Sequence, residues 1–411
     1  MTEPYGPEGL PLDGARSQIL AALQPLGLHE TLPLTAALGR TTAVAVSAPA
    51  AVPGFYASMM DGYAIAGSDQ PEPGISWRLV GVSAAGAPYG PVLAAGEAVR
   101  ILTGAVVPAG SGRVLPQELV VADGDRLALV KPCGPNPWIR QPSEEAAPGQ
   151  ELVPAGQQLG VADLGRLAGC GVQQLAVTRR PRVGLLISGD ELLPPGAERG
   201  PGQIWESNSA LLGALLARLG YGVADRRVVV DQPEPLRVAL RELAARCDVV
   251  VSTGGVSAGD SDWIRPLVAE LGEVRFWKLF LKPGRPFAWG QVAGVPFFGL
   301  PGNPVAAAIT ALQLLWPALQ RLEGAHIQQL PRLRVRLEAP MRRGAGRPEL
   351  ARARLVVAAD GALLARVEGS QASSRIGSLQ GADLLLEIPA ELGSLEAGSE
   401  LWAQLLRLPV F

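Results

Sequence analysis

Between Pro181 and Gly324 short apolar runs alternate with leucine-rich amphipathic stretches, and each apolar run stops at a carboxylate or a glycine loop. Residues 182–187 read as a strand that ends in a polar turn with Asp190 and Glu191. Ser207 or Asn208 caps a helix whose Leu211, Leu212, Leu215, Leu216 and Leu219 point inward, and Gly220 stops it. Residues 228–230 run into Asp231, a second helix spans 234–246, and a third strand occupies 248–251. Strand, helix, strand, helix, strand predicts a doubly wound βαβ series over a parallel sheet, with right-handed crossovers. Sheets of that kind assemble their ligand crevice outside the carboxyl ends of the strands.

The third strand end is chemically the richest. Residues 252–263 read STGGVSAGDSDW. Gly254, Gly255 and Gly259, with Ser257 among them, let backbone N–H groups approach the oxygens of an anion, while Asp260 and Asp262 can hold a divalent ion beside it. An acidic tight turn is the alternative, and the neighbouring segments favour the anion. Lys278 closes a further strand-like segment, and Lys282 and Arg285 bracket Pro283 and Gly284. Residues 297–300 form an apolar strand, Pro301 and Gly302 a turn, and Asn303 and Pro304 the cap and first residue of a helix that runs to about Leu322. Such a helix start is a second place where an anion is welcome.

At 411 residues the chain exceeds what one core usually supports, so about two to four domains are expected. A net charge of -2 with no basic run argues against a nucleic-acid partner. Cys133, Cys170 and Cys247 are too scattered for a disulfide framework or a thiolate zinc site, and a reducing cytoplasm is the expectation. No apolar segment reads as a signal or a membrane span. His29 and His326 sit in no motif, which leaves oxygen ligands for any metal.

Outside the α/β region three further stretches stand apart. Asp13 and Gly14 open a short amphipathic helix with Ile19, Leu20 and Leu23 on one face, and 162–168 looks like a helix of similar length. Both are expected in one subdomain, 1–49 plus 142–180, that brackets a β-rich insertion at 50–141 with strands at 77–82, 98–102 and 127–130. Arg179, Arg180 and Pro181 link this to the α/β domain, 181–326. The tail, 327–411, alternates at 333–337, 355–357, 363–367 and 384–388 and predicts a compact antiparallel, barrel-like β domain.

Six strings are similar, in order and spacing, to those of the molybdopterin molybdenumtransferases, the family that includes the gephyrin E domain. They are VPGFYASMMDGYA from Val52, RILTGAVVPAG from Arg100, ISGDEL from Ile187, STGGVSAGDSDW, FWKLFLKPGRPFAWG from Phe276 and LPGNPV from Leu300. The resemblance implies a molybdopterin-binding type of α/β domain that inserts molybdate into adenylylated molybdopterin and releases AMP, with Mg2+ assisting. It also implies a cytoplasmic homodimer with shared active sites, in transient contact with the molybdopterin adenylyltransferase and with apo-molybdoenzymes. Asp61 and Thr103 of one subunit would meet Glu191, Asp231, Asp262, Lys278, Lys282, Pro301 and Pro304 of the other. Lys278, Lys282 and Arg285 suit the pyrophosphate charge, and Glu191, Asp231 and Asp262 suit magnesium or its waters. Arg285, Arg347, Arg352, Ser373 and Ser374 suit the molybdate dianion.

The chain departs from the family pattern at four places. Tyr56, Ala57 and Met59 replace an acid, an amide and a small residue next to Asp61, and Glu145 stands for an aspartate. Ala306 stands for a serine and Arg285 for a lysine. These differences leave a second reading, a divergent paralogue that binds molybdopterin or molybdate for storage, delivery or scaffolding with little turnover.

Overall fold

The computed structural model describes residues 9–255 and 263–407. Ser257, Gly259, Asp260 and Asp262 lie outside the described residues.

The α/β domain is built as β1 (Val183–Ser188), α1 (Asn208–Arg218), β2 (Val223–Val229), α2 (Pro233–Arg246), β3 (Val249–Thr253), α3 (Ile264–Leu271), β4 (Gly272–Trp277), β5 (Ala288–Val292), β6 (Val295–Leu300) and the helix α4 (Pro304–Glu323). The sheet order is β2-β1-β3-β6-β5-β4. β2, β1, β3 and β6 run parallel, as the alternation requires, and every residue of β1 and β3 is buried. Strands covered on both faces need continuous apolar runs, which is why these two are the easiest to read from sequence.

The parallel sheet predicted for the βαβ series holds across β2, β1, β3 and β6, and two further strands extend it. β5 alone runs against the other strands, pairing antiparallel with both β6 and β4, because it turns into β6 through only Ala293 (φ 49°) and Gly294 (φ 81°). Two left-handed residues make a tight hairpin whose twist matches the flanking strands, and a two-residue link cannot support a parallel crossover. β2 also begins at Val223, earlier than expected, since its burial alternates along an edge of the sheet.

α4 is the core helix. It holds Val305, Ile309, Leu314, Leu315, Leu319 and Leu322 against Phe287, Phe298 and Leu300. By length and composition alone α4 could cross a membrane, contrary to the expectation that no segment would qualify, but 89% of its apolar 18-residue window is buried inside the protein. Each large apolar side chain enclosed here contributes about 1.5–3 kcal/mol.

The two short helices do not share a core, so this part of the sequence reading is corrected. Leu12–Ala22 packs Ala15, Ile19 and the following Leu23 into the α/β core beside Leu314 and Leu319. Val161–Gly169 instead buries Leu167 with Leu152, Leu159 and Val177, in a small core that also takes Ala37 and Ala48. Amphipathicity shows which face of a helix is covered, not which distant segment covers it.

In the insertion a six-stranded sheet has the order Ser111–Pro116, Gly62–Ala66, Glu97–Ile101, Ser76–Ser83, Arg126–Leu129, Val120–Asp123. At the carboxyl end Arg332–Leu337, Leu363–Arg366, Glu349–Val357, Leu384–Ile388 and Glu400–Leu405 close into a barrel. Its first two strands in that order are parallel, so the tail is not wholly antiparallel. Closure removes the sheet edges that an open tail would expose.

Candidate functional site

A crevice of about 510 Å³ opens where β1, β3 and β6 end. β2 lies on one side of β1 and β3 on the other, so the chain reverses its winding direction at this point. Ser188 and Glu191 come from the end of β1, Thr253, Gly254 and Gly255 from the end of β3, and Pro301, Gly302, Asn303 and Pro304 from the junction of β6 with α4. Ser373 and Ser374 close the wall from the barrel domain.

Local backbone chemistry explains the shape. Gly254 (φ +87°) and Gly255 (φ +61°) turn the chain sharply, and a side chain on Gly254 would come within 2.6 Å of the Ser188 carbonyl oxygen. Only glycine permits that approach with a left-handed backbone. Pro304 starts α4 without an N–H to satisfy, and Val305 N donates to the Ser373 carbonyl at 3.1 Å. Asn303 occupies the cap position but turns its amide to Ser373 Oγ at 3.1 Å, so its side chain joins the barrel to the crevice instead of capping the helix.

Asn208, read from the sequence only as a possible helix cap, and Ser188 were not predicted as site residues. The Asn208 amide, 8% exposed, donates to the Gly302 carbonyl at 2.8 Å and to Thr253 Oγ1 at 3.2 Å, tying α1 to the ends of β3 and β6. Its Oδ1 and the Ser188 hydroxyl are buried without a hydrogen-bond partner among the described residues. Glu206 caps α1 in place of Ser207 or Asn208, since its carboxylate accepts from Ser209 N at 2.8 Å. The one available signal for Asn208 was its polarity at a helix start, which equally suits a cap. Trp205 and Glu206 also line the crevice.

The remaining expected residues fall into separate places. Lys282 pairs with buried Glu349 of the barrel at 3.1 Å, and Glu349 also receives Arg343 at 3.1 Å. Backbone bonds from Lys282 N to Pro348 O and from Leu350 N to Lys282 O stitch the same loop to the barrel, while its neighbours Gly284 and Pro286 line the crevice. Lys278 has a left-handed backbone (φ 69°) and lays its ammonium 4.0 Å from the Trp277 ring centroid. Arg285 is exposed. Arg352 is 2% exposed and does not line the crevice: it donates to Ser378 Oγ at 3.1 Å and to the Ala372 carbonyl at 3.3 Å, bracing the loop that presents Ser373. Burial pulls its guanidinium below its ordinary pKa. Arg347 offers its carbonyl to Arg343.

Asp61 and Thr103 do meet, within the insertion. Thr103 N and Oγ1 both donate to Asp61 Oδ1 at 2.7 Å, and the backbone bond first and the hydroxyl second hold the carboxyl below its usual range. Among the described residues the crevice takes nothing from 50–141. Asp231 follows β2, and Asp190 Oδ1 accepts from its backbone N at 2.9 Å, fixing the ends of two neighbouring strands. Among the described residues no three His, Cys, Asp or Glu side chains gather as a metal site. Asp262, the third expected acid, lies outside those residues.

A crevice at the winding reversal of an α/β sheet, walled by a barrel loop and fed by two glycine turns and a helix start, defines a multidomain small-molecule-binding enzyme. Three family models match in succession: the MoeA N-terminal region (domain I and II) over residues 10–171, a probable molybdopterin binding domain over 184–321, and the MoeA C-terminal region (domain IV) over 334–406. A molybdopterin molybdenumtransferase of Haemophilus influenzae is 32% identical over 391 residues, covering 95% of this chain and 96% of that protein. Gephyrin of Dictyostelium discoideum is 29% identical, covering 92% of this chain and 59% of its own length. The crystal structure of a molybdopterin biosynthesis MoeA protein from Pyrococcus horikoshii superposes with a TM-score of 0.79 at 28% identity, covering 97% of this chain and 99% of that one. The chain belongs to the molybdopterin molybdenumtransferase family, transferases of molybdenum cofactor synthesis.

Proposed function

We propose that the chain inserts molybdate into adenylylated molybdopterin and releases AMP, with the crevice at the ends of β1, β3 and β6 as its substrate site. The carrying observation is the convergence of Glu191, Gly254, Gly255, the Pro301–Pro304 turn and Ser373 on one cavity. The left-handed glycines and the start of α4 present N–H groups to phosphate oxygens, and the Ser373 loop supplies hydroxyls for the second anion, molybdate. Lys282, Arg285 and Lys278 set positive charge around the loop that carries Gly284, which suits a substrate bearing a pyrophosphate. Arg352 acts from behind, by bracing the loop that presents Ser373, while Arg347 of the same domain suits molybdate as a donor.

Glu191 and Asp231, at the ends of adjoining strands, are oxygen donors that suit magnesium, with Asp262 as the third. Bound there, magnesium would neutralise charge on the phosphoanhydride as AMP departs. The Asp61 and Thr103 pair, absent from the crevice of its own chain, fits a homodimer in which the insertion of a second copy completes each site. A cytoplasmic location and brief contacts with the molybdopterin adenylyltransferase and with apo-molybdoenzymes accompany this reading.

Purified protein given adenylylated molybdopterin, magnesium and molybdate is expected to release AMP, and Glu191→Gln to release far less. Ligand bound with no AMP above a blank would refute the transferase and favour the binding paralogue, which exposed Tyr56 and Met59 beside Asp61 would then characterise.

A further inference from the structure

Trp205 stands at the lip of the crevice with 47% of its surface exposed, although its position is fixed on several sides. Residues 204–205 pair in parallel with 192–193; Ile204 N donates to the Glu191 carbonyl and Glu206 N to the Leu193 carbonyl, each at 2.8 Å. The indole Nε1 donates to the Ala197 carbonyl at 2.8 Å, and the Arg199 guanidinium covers one ring face at 4.1 Å from its centroid. With its donor satisfied and its backbone pinned beside Glu191, the indole is held in one orientation at the crevice wall.

Three residues further on, Asn208 brings an independent observation. Both bonds of its Nδ2 are made, to Gly302 O and Thr253 Oγ1, and this fixes the orientation of the amide. Asn208 and Ser188 both line the crevice, and the Asn208 Oδ1 and the Ser188 hydroxyl are buried polar atoms with no partner among the described residues. A buried acceptor without a donor is destabilising, and a ligand N–H relieves it.

We propose that this end of the crevice recognises a flat, fused, nitrogen-rich double ring, which stacks on the open face of Trp205 and donates a ring N–H to Asn208 Oδ1. The inference rests on the function proposed above, whose substrate carries two rings of this chemistry, a pterin and an adenine. Trp205 is thus a positioning residue that orients the substrate while the glycine turns hold its phosphates.

The test is equilibrium binding of AMP, of a simple pterin and of inorganic pyrophosphate to the full-length wild type, Trp205→Ala and Trp205→Phe. Trp205→Ala is expected to weaken one of the two ring ligands about 10-fold and to leave pyrophosphate unchanged, while Trp205→Phe stays within about 3-fold of wild type. The ligand that is lost identifies the ring. Wild-type affinity of Trp205→Ala for both rings overturns the inference and leaves the phosphate site standing. A wild type that binds none of the three probes overturns the proposed function and this subsite together.

Discussion

Gly284 offers the sharpest test of how the crevice is held. It lies between Lys282 and Arg285 with φ +120°, and a Cβ there would sit 2.7 Å from Thr310 Cγ2, a residue of α4 that is fully buried. Gly284→Ala therefore combines backbone strain, about 1–3 kcal/mol, with overpacking against α4, about 1–3 kcal/mol. Thr310→Ser removes only the clashing methyl and keeps the hydroxyl, which donates to the Ala306 carbonyl at 2.8 Å. The double variant should recover the packing part and keep the strain, giving a coupling of about 1 kcal/mol or more. Urea unfolding followed by tryptophan fluorescence and circular dichroism measures this. Transition midpoints are the quantity to compare, since a chain of several domains does not unfold in one step. Costs that add within about 0.5 kcal/mol would show that the methyl and the loop do not compete for the same space.

Two further outcomes follow from the same geometry. Asp61, held ionised by the two Thr103 donors, has a carboxyl pKa below its unfolded value. Its contribution is therefore present above the ordinary carboxylate range and lost only as pH falls through the lower folded value. NMR titration of the Asp61 carboxyl should give a depressed pKa that rises in Thr103→Ala, and an unchanged titration would refute the assignment. Arg352→Met removes the charged donor to Ser378 Oγ and Ala372 O, so amide exchange across 371–378 should quicken while the barrel loses about 1–3 kcal/mol. Unaltered exchange in that segment would show that Arg352 does not brace it.

Sequence by itself determined the local grammar of the protein. β1, β3 and β6 were legible because strands buried on both faces must be apolar without interruption, and their glycine and carboxylate ends marked the crevice. Pro304 at the head of α4 and the spacing of six strings likewise required no partner segment to be read. Tertiary structure alone decided which distant groups meet. It sent the first helix into the α/β core, closed the barrel with Glu400–Leu405, turned Asn303 toward Ser373, and aimed Arg352 at the loop behind the crevice. It also turned Asn208 from an apparent cap into a tie between two strand ends. Periodicity and turn chemistry act over a few neighbouring residues, whereas a side-chain donor chooses its acceptor only after segments far apart in the chain have packed together.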